Sequence, residues 1–358
     1  MDSTNCSAYA CSTSAGSKSD SPDVSSDGAR FTTRIVPVWT DLLRSAVLTS
    51  CSFSIGGDLS VRRIGYGAMA LTGLGGWGNP PDPVAARSLL RRALDLGVQL
   101  FDTADSYGPE VSEELLAEAL HPYSRDVVVA TKGGSIREGP WQLRADGRPA
   151  HLRATCEGSL RRLRLDRIDL YQLHTVDPAV PLEDSVGALA ELQGEGKIRH
   201  IGLSNVTVEQ IESARKIVPV VSIQNEYNLA ARGAQDEVVA YCEREGLAYL
   251  PWQPLAKGSL ARTHAALGAV AARHGATPAQ VALAWLLTRS HIVVAIPGTL
   301  SPEHLEENVG AQGLDLSAED LAELDSYRLS TLDARSLARR FVPPRLRRVA
   351  VSVLRRIR

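Results

Sequence analysis

The chain has 358 residues, 44% of them apolar and 22% charged, with a formal net charge of −2. That is ample for a sizeable soluble core, and the near-neutral balance excludes a chain built as a whole around a polyanion such as nucleic acid. Five cysteines (Cys6, Cys11, Cys51, Cys156 and Cys242) are odd in number and lack metal-ligand or redox spacing, so they read as reduced thiols of a cytoplasmic protein without a structural metal.

Residues 1–30 are rich in Ser, Asp and Gly and nearly devoid of large apolar side chains. Such a segment cannot offset the entropy of ordering, and residues 1–52 are expected to form a disordered or loosely packed extension. The stretch VPVWTDLLRSAVLTSC is interrupted by Asp41 and Arg44 and is rejected as an export signal. No apolar run is long enough to span a membrane.

From Leu59 onward short apolar runs (RRIGYGA, VQLFD, VVVATK, IDLYQLH, IRHIGLSN, VVSIQN, LAYLPWQ, IVVAIPG) alternate with helical patterns such as PVAARSLLRRALDLG and PLEDSVGALAELQGEG. Continuous apolar strands between amphipathic helices indicate parallel strands covered by helices. The expected fold is α/β, a (β/α)8 barrel over residues 53–327. A doubly wound open sheet is the rival, weakened because no G-x-G-x-x-G follows a first strand. Residues 328–358 form an Arg-rich extension with almost no acid, ending in RRVAVSVLRRIR. That end reads either as a surface extension or as a short basic amphipathic helix able to touch an anionic membrane or nucleic acid.

Catalytic groups of a (β/α)8 barrel sit at the C-terminal ends of its strands. Here those ends carry Asp102 followed by Tyr107, then Lys132, His174, Ser204-Asn205, Gln224 and Trp252. Lysine is scarce, five among 39 basic residues, so an ammonium at the buried end of VVVATK points to a need for a compact, tunable cation. Asp, Tyr, Lys and His together compose a proton-transfer group: the lysine favours phenolate, the aspartate holds the lysine, and the histidine orients a substrate oxygen. Asp105, in the same octet FDTADSYG, reads as turn chemistry, facing outward or bonding nearby backbone. Such a group moves protons but supplies no electrons, which implies a cofactor.

FDTADSYG, VVVATKGG, DLYQLH, HIGLSN, SIQNEYN, LPWQPLAKG and IPGTLSPEHLEEN, in this order, resemble the aldo-keto reductase family over residues 60–310. The resemblance implies that Asp102, Tyr107, Lys132 and His174 are the catalytic tetrad, with Tyr107 the general acid in reduction. It implies that Ser204, Asn205 and Gln224 hold a nicotinamide carboxamide and that Trp252 stacks on the ring in place of the usual tyrosine. Leu255, Lys257 and Gly258 would follow the pyrophosphate, and Glu307 and Asn308 the adenine. Where the family often clamps a 2′-phosphate with a Lys-Ser pair and an Arg, this chain has Gly298-Thr299 and His304. Thr299, Ser301 and the N-terminus of the helix begun by Pro302 offer a substitute anion site. NADPH is therefore the expected cofactor, with NADH the alternative, and a small-molecule carbonyl compound the expected substrate. IGYGAMALTG, IQNEYN and IPGT are most similar to the bacterial pyridoxal reductase branch, which suggests an aromatic aldehyde. The loops GLGGWGNPPDP and GGSIREGPWQLRADGRPA should line its pocket, with Trp77 and Trp141 either as aromatic walls or as loop packing. A nucleotide-binding regulatory member with little turnover is the competing reading.

Overall fold

The computed structural model describes residues 52–258, 260 and 265–326. The expectations for residues 1–51 and 328–358 lie outside the described residues. Ser52 already belongs to an antiparallel hairpin, β1 (Ser52–Ile55) and β2 (Leu59–Arg62), which composition alone did not predict. Its inward side chains Ile55, Leu59 and Val61 pack on Leu100, Val128 and Leu170, near the starts of three parallel strands. The hairpin thus plugs the barrel at the end opposite the polar strand termini.

The parallel strands are β3 (Tyr66–Gly67), β4 (Leu100–Asp102), β5 (Val128–Gly133), β8 (Ile168–Leu173), β9 (Ile198–Ser204), β10 (Val220–Gln224) and β11 (Ala248–Tyr249), hydrogen-bonded in that order. Residues 292–297 take the eighth place. On one side Val294 N–H donates to Tyr249 O (2.9 Å); on the other Gly65 N–H donates to Ala295 O (2.8 Å) and Gly67 N–H to Pro297 O (3.1 Å). The sheet is therefore closed, as the alternation of strands and helices predicts.

Helices α1 (Pro83–Asp95), α2 (Val111–Leu120), α3 (Pro149–Leu163), α4 (Leu182–Gly194), α5 (Val208–Arg215) and α6 (Ala234–Glu245) cover the outside. Local chemistry starts several of them. The Asp82 carboxylate accepts from Val84 and Ala85 N–H (2.9 Å each) with Pro83 at the first helical position, and Thr207 forms a capping box with Gln210. The apolar stripe of α4 (Val186, Leu189, Leu192) joins the outward residues Tyr171 and Ile201 in the larger core. Among the described residues, the α-helices after β11 include α7 (Ala265–His274), α8 (Pro278–Thr288), α9 (Pro302–Gly310) and α10 (Ala318–Asp325).

One expected loop is regular. Within residues 134–148, β6 (Ser135–Gly139) and β7 (Gln142–Ala145) pair antiparallel across the two-residue turn Pro140-Trp141, with Trp141 at φ 64°. Gly and Arg supply six of its fifteen residues, and its alternation is too short to separate a hairpin from a loop.

Candidate active site

Strand periodicity positions the site. In β5, Val128, Ala130 and Lys132 share a face, and Val128 and Ala130 lie in the interior cluster with Leu100 and Leu170. The same two-residue step carries Leu100 to Asp102 and Leu170 through Gln172 to His174. Each strand thus ends its apolar interior with a polar group on one rim.

Lys132 is wholly buried, and its ammonium donates to Asp102 Oδ2 (2.7 Å), Thr103 O (2.9 Å) and the Tyr107 hydroxyl (3.1 Å). Asp102 Oδ1 accepts from Gln224 Nε2 (2.8 Å) and Gln172 Nε2 (3.2 Å). Tyr107 reaches back to the lysine because the loop doubles over at Gly108, φ 112°, where a Cβ would lie 2.4 Å from Val111 Cβ. Backbone bonds from Gly108 N–H to Gly76 O (3.0 Å) and from Gly78 N–H to Gly108 O (2.5 Å) pin this loop to the one after β3. The Tyr107 and His174 rings meet edge to face, 5.8 Å between centroids.

Burial dominates the electrostatics. It pushes the Tyr107 phenol above its ordinary value; Lys132 pulls the other way without reversing the shift, so the expected pull toward phenolate is present but outweighed. Burial also draws the Lys132 ammonium down, yet Asp102 and Tyr107 beside it leave it above the usual lysine value. His174, desolvated and facing the charges of Lys132 and Arg137, is held well below the usual range and is neutral at physiological pH. Its Nδ1 lies 3.3 Å from Ser106 Oγ. If that hydroxyl donates, the ring proton sits on Nε2.

Asp105 bonds nearby backbone, accepting from Ser106 N–H (2.7 Å), but it is buried rather than outward-facing. Burial and the neighbouring Glu113 push its carboxyl up from 3.8 to about 8. The folded state then holds a proton that the unfolded chain releases, so this group costs stability as pH rises from about 4 to about 8. Urea midpoints across that window should fall less steeply for Asp105→Asn than for the parent; parallel slopes would contradict the assignment.

Above the four groups opens a cleft of about 1440 Å³. Ser204, Asn205, Gln224, Trp252, Leu255 and Gly258 line one stretch of it, and Gly298, Thr299, His304, Glu307 and Asn308 another. Trp77 and Trp141 stand at its mouth, 41% and 58% exposed. The backbone of Lys257 lies in the turn Ala256–Gly258, and its side chain is outside the described residues. Asn205, at φ 59°, donates through Nδ2 to His174 O and Ser204 Oγ (3.0 Å each) and accepts from Trp252 Nε1 (3.1 Å). Its amide therefore locks the rim together, leaving Ser204 Oγ and Gln224 Oε1 as the freer polar atoms. At the helix start, Ser301 Oγ caps His304 N–H (3.1 Å) and donates to Glu303 (2.6 Å), placing an acid at the expected anion site.

Two residues of the site were not singled out from sequence. Gln172 shares the face of His174, and Gly202 makes room for it: a Cβ there would lie 2.9 Å from Gln172 Cγ and 2.2 Å from Ser222 Oγ. Arg137, in β6, is buried and lines the cleft. Its sequence neighbourhood is full of exposed arginines, so only the fold distinguishes it.

Comparison with known proteins agrees with this geometry. The model of the Aldo/keto reductase family matches residues 63–328. An uncharacterized oxidoreductase of Schizosaccharomyces pombe is 48% identical over 75% of this chain and 87% of the relative. Pyridoxine 4-dehydrogenase of Escherichia coli is 45% identical over 78% of this chain and 98% of its own length. Among solved structures, the glycerol dehydrogenase of Gluconobacter oxydans superposes with a TM-score of 0.71 at 30% identity, covering 77% of this chain and 94% of its own. An aldo-keto reductase of Klebsiella pneumoniae in complex with NADPH gives 0.66 at 30% identity, covering 76% and 93%. The barrel, the rim of polar strand ends and these matches lead to one assignment: the chain belongs to the aldo/keto reductase family of oxidoreductases.

Proposed function

We propose that the chain is an NADPH-dependent reductase of aldehydes and ketones, with aromatic aldehydes of the pyridoxal type as its substrate class. The observation that carries the reading is the buried ammonium of Lys132, bonded at once to Asp102 and to the Tyr107 hydroxyl at the floor of the cleft. The name of the pyridoxine dehydrogenase relative supports the substrate class, and the NADPH complex of a structural neighbour supports the cofactor.

The cleft fits the cofactor. At about 1440 Å³ it exceeds the roughly 300–1,000 Å³ typical of a small-ligand site, as a dinucleotide plus substrate requires. Ser204 and Gln224 would hold the carboxamide, Trp252 the ring face, Leu255, Lys257 and Gly258 the pyrophosphate, and Glu307 and Asn308 the adenine. When bound, NADPH supplies hydride to the carbonyl carbon.

Tyr107 gives its proton to the carbonyl oxygen, and the Lys132 charge stabilises the phenolate left behind. Asp102, steadied by Gln172 and Gln224, keeps Lys132 charged and aimed. Neutral His174 donates from Nε2 to the same oxygen and fixes its direction. The assembled proton-transfer groups favour turnover over a purely regulatory nucleotide binder. A screen of aldehydes and ketones that includes pyridoxal, followed by loss of NADPH absorbance, tests the reading; no oxidation with any carbonyl compound would refute it.

Coenzyme choice is a separate expected result. NADPH should exceed NADH in kcat/KM by about tenfold, the N-terminus of α9 receiving the 2′-phosphate. Glu303→Gln removes the competing negative charge and should raise that ratio by about two- to fivefold. An NADH advantage in the parent enzyme would overturn the assignment of residues 298–304 to the phosphate.

A further inference from the structure

Arg137 is only 8% exposed, yet among the described residues no carboxylate lies within ion-pair distance of it. The contrast with its neighbours is direct. Buried Lys132 is paired with Asp102 at 2.7 Å, and the largely buried Arg162 with Glu113 at 2.7 Å. Arg137 has two carbonyls instead: Nε donates to Ser106 O (2.7 Å) and Nη1 to Gly75 O (2.9 Å). These bonds aim the guanidinium beneath Gly76, where a Cβ would lie 2.9 Å from Cζ. Among the described residues Nη2 has no protein partner. The residue lines the cleft together with Tyr107, His174, Trp77 and Trp141, and its charge reaches both Tyr107 and His174.

A largely buried guanidinium without a counter-charge is costly, because buried charges are ordinarily paired. Carbonyl acceptors satisfy two of its N–H directions but leave its charge uncompensated. Resting on the reading of this cleft as a carbonyl-reducing site, we infer that Arg137 selects aromatic aldehydes that carry an anionic oxygen, a carboxylate or phenolate, and receives that oxygen on Nη2 beside the tryptophan walls. A planar fork suits such an oxygen better than an ammonium would. Arg137 is then a specificity residue. Its two carbonyl bonds fix the direction of the fork and at the same time hold the loops after β3 and β4.

The test compares the 2-, 3- and 4-carboxybenzaldehydes with the matching formylbenzamides, which are similar in shape but neutral, using the full chain and NADPH. At least one acid should exceed its amide in kcat/KM by about tenfold or more. Arg137→Met should bring that ratio to about one, and Arg137→Lys should keep part of it. Absence of a preference in the parent enzyme, or equal losses for acid and amide in Arg137→Met, would overturn the inference and leave Arg137 a loop anchor. Calorimetric titration of the NADP-loaded protein with benzoate and with benzamide gives a readout without turnover. Benzoate binding that depends on Arg137 upholds the inference even if no aldehyde is reduced, in which case only the reductase reading fails; equal binding of the two rejects it.

Discussion

Tyr107→Phe is expected to lower kcat/KM for aldehyde reduction by about 10² to 10⁴, the usual worth of a positioned general acid. NADPH binding should be little changed, because the hydroxyl bonds Lys132 within the protein and none of the proposed nucleotide contacts runs through it. The fold should also survive. Lys132 keeps its bonds to Asp102 and Thr103 O when the phenol is lost, and removing one hydrogen bond costs on the order of 1 kcal/mol. The pH profile adds an independent check. Tyr107 lies above its ordinary value of about 10 and His174 well below 6.5, so neither titrates in the neutral range. Reduction in the parent enzyme should therefore show no limb near pH 6.5 arising from His174, and its loss at high pH should begin above the normal tyrosine range. Full activity in Tyr107→Phe, measured beside fluorescence titration of NADPH, would refute the proposed role.

The rim was legible in the sequence because strands are periodic. VVVATK and IDLYQLH each end an apolar run on a polar residue, and a barrel sends those ends to one face. The contact of Asp102 with Lys132, 30 residues apart, follows once their strands are neighbours and in register, as Asp102 opposite Ala130 places them. Other features were hidden for physical reasons. Gln172 lay in a quoted strand, but its role depends on the missing side chain at Gly202, a relation between neighbouring strands that periodicity does not carry. Arg137 lies among exposed arginines of the same segment, and only the pairing of β6 with β7 turns it inward. The commitment of Asn205 to Trp252 and to His174 O could not be read either, since it depends on a left-handed backbone at a non-glycine residue. Net pKa directions were similarly out of reach: sequence names the charges near Tyr107 but not the burial that outweighs them.

Lys132→Met should abolish detectable turnover and also destabilise the fold, and the second effect gives a way to separate the two roles of the lysine. The pair it forms with Asp102 is almost fully buried, with side chains 0% and 3% exposed. Removing one partner leaves an uncompensated carboxylate in the barrel interior, at a cost of about 3–5 kcal/mol. Gln172 and Gln224 still donate to Asp102 Oδ1, which holds the loss toward the lower end. Adding Asp102→Asn removes the stranded charge, so the double variant should recover most of the stability lost by the single one. It should not recover activity, because Tyr107 would still lack the cation that stabilises its phenolate. Urea unfolding of the two variants, set beside NADPH oxidation, reads both quantities. A purely structural lysine would let activity return with stability in the double variant. A lysine that tunes the phenol leaves a stable, well-folded barrel that does not turn over.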